Sequence, residues 1–211
     1  MVAPPRSALA GAVEQLLVES SPRFLVDHAR RSLELACLIA TAEGLVVDAE
    51  VLHAGVLLHD LGLTTRFHSS EVRFEVAGAD AARELVLGSG MAPARAATVW
   101  DVVALHGTPG IAERKGPEVA VAAEAIGADV TGSGLERLDP AQVARVMATR
   151  PGFAGRFIDA VVADLRDKPH VASSTWMAGI AAHHLPRFRP PSIEHLALAH
   201  PFERMTVEVP R

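Results

Sequence analysis

The sequence predicts an all-α assembly of helices. Alanine, valine and leucine dominate, apolar residues recur at helical spacing in one segment after another, and no stretch of useful length alternates in the manner of a strand. Apolar residues make up 49% of the 211 and charged residues 21%, the balance of a globular chain with a substantial core. No repeat at a fixed period emerges, so an irregular helical assembly over 1–211 is expected, read as one domain, rather than a symmetric bundle.

The elements follow in order. Ser7 caps a helix to residue 19 whose stripe carries Leu9, Val13, Leu16 and Leu17. Ser20-Ser21-Pro22 breaks it, and a second helix runs from Phe24 to Glu43, with Phe24, Leu35 and Ile39 on one face and Asp27, Arg31 and Glu34 largely on another. His28 lies seven residues before Leu35, about 20° away around the helix, so it points inward. Gly44 ends this helix and Asp48 opens the next, which is apolar around most of its circumference up to His59-Asp60; it is the buried central helix. Gly62 is expected to cap it in the left-handed conformation.

Residues 72 to 87 read as a helix closed by Gly88-Ser89-Gly90, and Pro93 starts another that ends at His106-Gly107. A polar loop leads to Pro117-Glu118 and an alanine- and valine-rich helix reaching Asp129. Asp139-Pro140 opens a helix to Thr149, Phe153 to Leu165 forms the next, and Ser173 or Ser174 is expected to cap a short one holding Trp176, Met177 and Ile180. No clear element is expected from His195 to Arg211.

Several function classes are disfavoured. The net charge is −5 and the basic residues are scattered, which argues against nucleic acid. No apolar run of about 18 residues suggests a membrane span, and the start, with Arg6 and soon Glu14, does not make a signal peptide, so a cytoplasmic protein is expected. The single Cys37 is expected to be a buried small hydrophobe. Nucleophile-elbow, Walker A and dinucleotide-binding patterns are all missing.

The chemistry centres on His59-Asp60. Adjacent helical residues point about 100° apart, so the pair faces one cleft only by converging on something between them, for which a divalent cation is suited. Alone the dipeptide is equally a capped or salt-bridged helix end. Its weight comes from His28, on an inward face, and Asp129, an acid in so apolar a setting that burial requires a partner. His28, His59, Asp60 and Asp129 together supply two imidazoles and two carboxylates, a set for one borderline or hard divalent ion.

These four residues resemble the pattern of the HD superfamily of metal-dependent hydrolases. The stretches Asp27-His28-Ala29-Arg30-Arg31, Leu57 to Thr64, Arg73 to Ala82 and Leu105 to Ala112 are similar to its cyanamide hydratase branch, over roughly residues 22 to 135. The resemblance implies an HD-type helical core there, flanked by an N-terminal helix and a C-terminal helical extension. It implies a bound metal, zinc first, with iron, manganese or nickel tolerated by the ligand set, and addition of water to cyanamide to give urea.

Around the site, His106 at its helix end is a candidate to orient substrate or shuttle a proton. Glu75 and Arg73, in the family-like stretch, are further candidates and expected ion-pair partners. His68 and Glu71 are expected on the surface, His53 in the core, and His170, His183, His184, His195 and His200 in solvent. The expected partner is a small-molecule substrate, with self-association open. The rival enzyme reading is a phosphohydrolase acting on a nucleotide or small phosphate ester, for which Arg66, Arg73, Arg114 or Lys115 would need to converge on the metal cavity. A non-catalytic module that keeps its metal for folding is the third reading.

Overall fold

The computed structural model describes residues 5–203, and among them it contains ten α-helices and no strand. Helix α1 (Ala8–Ser20) starts as expected, with the Ser7 hydroxyl accepting from the Ala10 N–H at 3.2 Å. It is followed by α2 (Arg23–Ala42) and α3 (Ala49–Leu58), where the Asp48 carboxylate accepts from the N–H groups of Glu50 and Val51. Then come α4 (Phe74–Gly88), α5 (Pro93–Leu105) and α6 (Pro117–Thr131). The C-terminal part adds α7 (Pro140–Val146), α8 (Phe153–Asp167), α9 (Met177–His184) and α10 (Ile193–Leu198). The short α10 falls where no clear element was expected; residues 204–211 of that tail lie outside the described residues.

Helix α3 is the axis of the fold because every residue from Val51 to Leu58 is buried. One side of it packs with α1, α4 and α5 through Val51, Ala54, Leu57 and Leu58. The other side packs with α2, α5 and α6 through Leu52 and Val56. A third apolar cluster joins α8 and α9 to Leu25 and Phe74, so the C-terminal segment closes over the starts of α2 and α4.

Three local expectations are corrected. Gly62 is not a left-handed cap: it lies in a 3₁₀ turn (Leu61–Leu63), outside the glycines with positive φ. Glycine is required there for another reason, since a Cβ would overlap the backbone carbonyl of Phe74. Neither Ser173 nor Ser174 caps α9; Trp176 takes that place, and the Thr175 hydroxyl accepts from the Met177 N–H instead. Cys37 is half-buried and free rather than fully buried.

The loop after α3 is tied to α8 by a polar cluster. Lys168, fully buried, donates to the Val72 carbonyl at 2.9 Å and pairs with Asp164 at 2.9 Å. His68, exposed as expected, approaches the same carboxylate oxygen at 3.0 Å. A buried ammonium needs such partners because burial disfavours its charged form.

Candidate metal centre

His28 occupies the inward face of α2, and His59 and Asp60 follow directly from the end of α3, where the chain leaves the helix. All three are buried, His28 and His59 completely. Their ring orientations follow from their hydrogen bonds. The Nδ1–H of His59 donates to the Val56 carbonyl at 2.7 Å, and that of His28 donates to the Asp129 carboxylate at 2.6 Å. Both Nε2 lone pairs are thereby directed at the same point.

The two Nε2 atoms stand 3.1 Å apart, and Asp60 Oδ2 lies 3.3 Å from Nε2 of His59 and 3.6 Å from Nε2 of His28. Donors about 2.0–2.2 Å from a common cation, at angles between octahedral and tetrahedral, are separated by about 3.0–3.5 Å. The triangle therefore fits one divalent ion. Both oxygens of Asp60 are buried without a hydrogen-bond partner, and two facing imidazole lone pairs repel unless something positive lies between them. Among the described residues, His28, His59 and Asp60 are the acid and imidazole groups that converge closely enough to hold a metal ion.

Asp129 departs from the four-ligand expectation. Arg31 clamps it with Nε to Oδ1 and Nη2 to Oδ2, both at 2.7 Å, and the remaining contact of Oδ2 is to Nδ1 of His28. It stands behind the His28 ring, on the side away from the three converging donors. Arg31 was expected on the polar face of its helix; it is buried because Asp129 is buried, and each offsets the other's desolvation.

The charges around the centre follow from this geometry. Burial alone would raise the Asp60 carboxyl, but the imidazole of His59, then those of His28 and His106, hold it well below the usual carboxylate range. Burial lowers His59, yet the adjacent Asp60 carboxylate outweighs it and leaves His59 raised. For His28 burial wins and the imidazole is lowered. Burial likewise pushes Asp129 up, and the hydrogen bonds from Arg31 and His28 more than reverse this, bringing it to about 2.

A stability prediction follows for Asp129. Because its folded pKa is depressed, its contribution is complete above the ordinary value of 3.8 and is lost as pH falls through about 2. Acid unfolding followed by circular dichroism should therefore lose part of its steepness in this range in Asp129→Asn. The same variant should bind metal about 10–100-fold more weakly by competition with a chelator, the usual effect of removing a partner that orients a ligand. Wild-type affinity in the variant would remove Asp129 from any part in the centre.

The remaining sequence candidates divide. His106, at the end of α5, lies with its ring centroid 4.8 Å from that of His59 and lines the same cleft. Its Nδ1–H donates to the Val103 carbonyl at 2.7 Å, and burial, followed by the charge of His59, lowers it to about 4. Arg73 and Glu75 do pair, at 2.6 Å, but they stand behind the cleft wall instead of in it, because Glu75 is fully buried and also accepts from Trp176 Nε1 at 3.0 Å. His53 is buried away from the donors, and His170, His183, His184, His195 and His200 are exposed.

The cleft beside the donors has a volume of about 480 Å³. Ala123, Ile126, Ala128 and Val130 of α6 line it, together with the aromatic rings of Phe157 and Trp176. Phe157 and Trp176 carried no functional signal in the sequence. For Arg31 a signal existed, namely the need of a buried Asp129 for a cation.

Two imidazoles and a carboxylate thus converge at the core of a helical protein closely enough to hold a divalent metal ion. The HD domain family matches residues 25–148, more than half of the chain, and the chain belongs to that family. No curated protein matches it.

Proposed function

We propose that the protein adds water to a small, uncharged nitrile-like or amide-like carbon, in the manner of the cyanamide hydratase branch it resembles, with zinc as the resident ion. The reading rests above all on the cleft lining. Arg66, Arg73, Arg114 and Lys115, the cations a phosphate substrate would need, do not line it. Lys115 is paired with Asp101 at 2.8 Å and Arg73 with Glu75. Arg137, the one arginine of the lining, is neutralised by Glu124 and Glu43, and Glu113 adds negative charge to the lining.

His28, His59 and Asp60 would hold the ion, with Asp129 and Arg31 fixing the His28 ring. A divalent cation there supplies Lewis acidity, which makes water nucleophilic near neutral pH and polarises a nitrile or carbonyl. His106, held unprotonated at neutral pH, offers Nε2 as a proton acceptor at the edge of the donors. The apolar side of α6 excludes bulk water and suits a substrate without charge.

Protein loaded separately with zinc, iron, manganese and nickel should release urea from cyanamide, or amide from small nitriles. Phosphate release from nucleoside mono- or triphosphates, with no nitrile turnover under any metal, would overturn this reading in favour of a phosphohydrolase. His106→Ala should lower kcat by about 10²–10⁴-fold at unchanged metal content; an unaltered kcat would remove His106 from the proton path.

A further inference from the structure

Two residues of the cleft lining, Phe157 and Trp176, come from chain beyond residues 25–148. Trp176, just before α9, is fixed from three directions. Its Nε1–H donates to Glu75 Oε1 at 3.0 Å, and its ring lies parallel to Phe157, 7° apart with centroids at 6.3 Å. Its indole edge rests on Gly107, where a Cβ would come within 2.5 Å of Nε1. Phe157 stacks in turn on Phe153, and Phe153 on the His28 ring at 4.7 Å. A continuous series of aromatic faces thus runs from a metal donor to Trp176, and both ends of it border one cleft.

Glu75 is explained by the same contacts. It is a fully buried carboxylate whose partners are the Arg73 guanidinium and the indole N–H. Burial of a carboxylate is costly, and a paired one gives the indole a charge-assisted anchor. An indole held in this way does not swing aside to enlarge the cleft.

We propose that Trp176 is the specificity-determining residue of the centre, limiting the width of molecule that reaches the three donors, and that Glu75 is its positioning residue. The inference rests on the cleft reading given under Proposed function and narrows the substrate class to compact, uncharged molecules, with branched or aromatic nitriles and amides excluded.

The test uses the full chain loaded with Co(II) and titrated with imidazole and with benzimidazole, read by the visible absorption of the metal. The two probes share a donor nitrogen and differ in width. The ratio of imidazole to benzimidazole affinity should fall by at least about tenfold in Trp176→Ala, with a smaller fall in Trp176→Phe. Trp176→Phe keeps most of the packing against Phe157 and carries the test if the alanine variant does not fold. Glu75→Gln, whose amide oxygen still accepts the indole N–H, should retain the wild-type ratio, whereas Glu75→Leu should lose it. With Trp100 replaced by phenylalanine, Trp176 is the only indole, and its acrylamide quenching should rise in Glu75→Leu alone.

An unchanged ratio in the Trp176 variants, or failure of imidazole to reach the metal in any protein, overturns the proposal. Equal behaviour of Glu75→Gln and Glu75→Leu overturns the positioning role. A shifted probe ratio in a protein that turns over no nitrile overturns the proposed reaction and leaves the width limit standing.

Discussion

Replacing either His59 or Asp60 with alanine is expected to empty the metal centre while leaving a folded helical protein. Both side chains are buried, and Asp60 makes no hydrogen bond to the protein through either oxygen. Its removal therefore deletes a desolvated charge without breaking a structural contact. The loss in metal affinity should exceed about 100-fold, because even an indirect partner of a ligand is worth about 10–100-fold. Turnover should vanish with the metal. Elemental analysis after dialysis, together with far-ultraviolet circular dichroism, separates loss of the ion from loss of the fold. Full metal occupancy in both variants would sink the centre as described.

The second large effect is expected from a residue with no functional group. Gly62→Ala places a methyl group against the Phe74 carbonyl, a backbone atom that cannot rotate away. The 3₁₀ turn after Asp60 or the start of α4 must move, at a cost of about 3 kcal/mol, the upper end for overpacking. A fall in Tm of about 6–12 °C follows for a chain of this size. Because Asp60 precedes the glycine by two residues, metal affinity should fall too. Gly155→Ala is the control: this glycine lies within α8 with open space around its Cα, so alanine should raise stability by about 0.5–1 kcal/mol. Equal thermal shifts in the two variants would contradict the close approach at Gly62.

The helices were readable because a 3.6-residue apolar period is a local property, and so were caps such as Ser7 and Asp48, whose partners lie two or three residues away. The metal donors were readable for a related reason: an imidazole on an apolar helix face and a His-Asp pair ending a buried helix are locally anomalous. What escaped depends on contacts between distant parts of the chain. Arg31 looks solvated until Asp129, ninety-eight positions away, is brought against it. The burial of Asp129 was evident in the sequence, but which group would meet it was not, and Arg31 takes both carboxylate oxygens that a metal would have used. Gly62 reads as a cap because glycine after a helix commonly is one, and only the path of α4 reveals the steric demand. Trp176 reads only as part of a short helix because nothing local distinguishes an aromatic that packs from one that borders a cleft.

The three candidate donors come from residues 28–60, while the aromatic lining of the cleft comes from Phe157 and Trp176, near the other end of the chain. In the proposed reading, reactivity and admission would reside on stretches that can vary separately. Substitutions in α8 and α9 would then change which molecules enter while the three donors are inherited intact. Such a chain would be retargeted to a new substrate by redesigning residues 150–184, with His28, His59 and Asp60 unchanged.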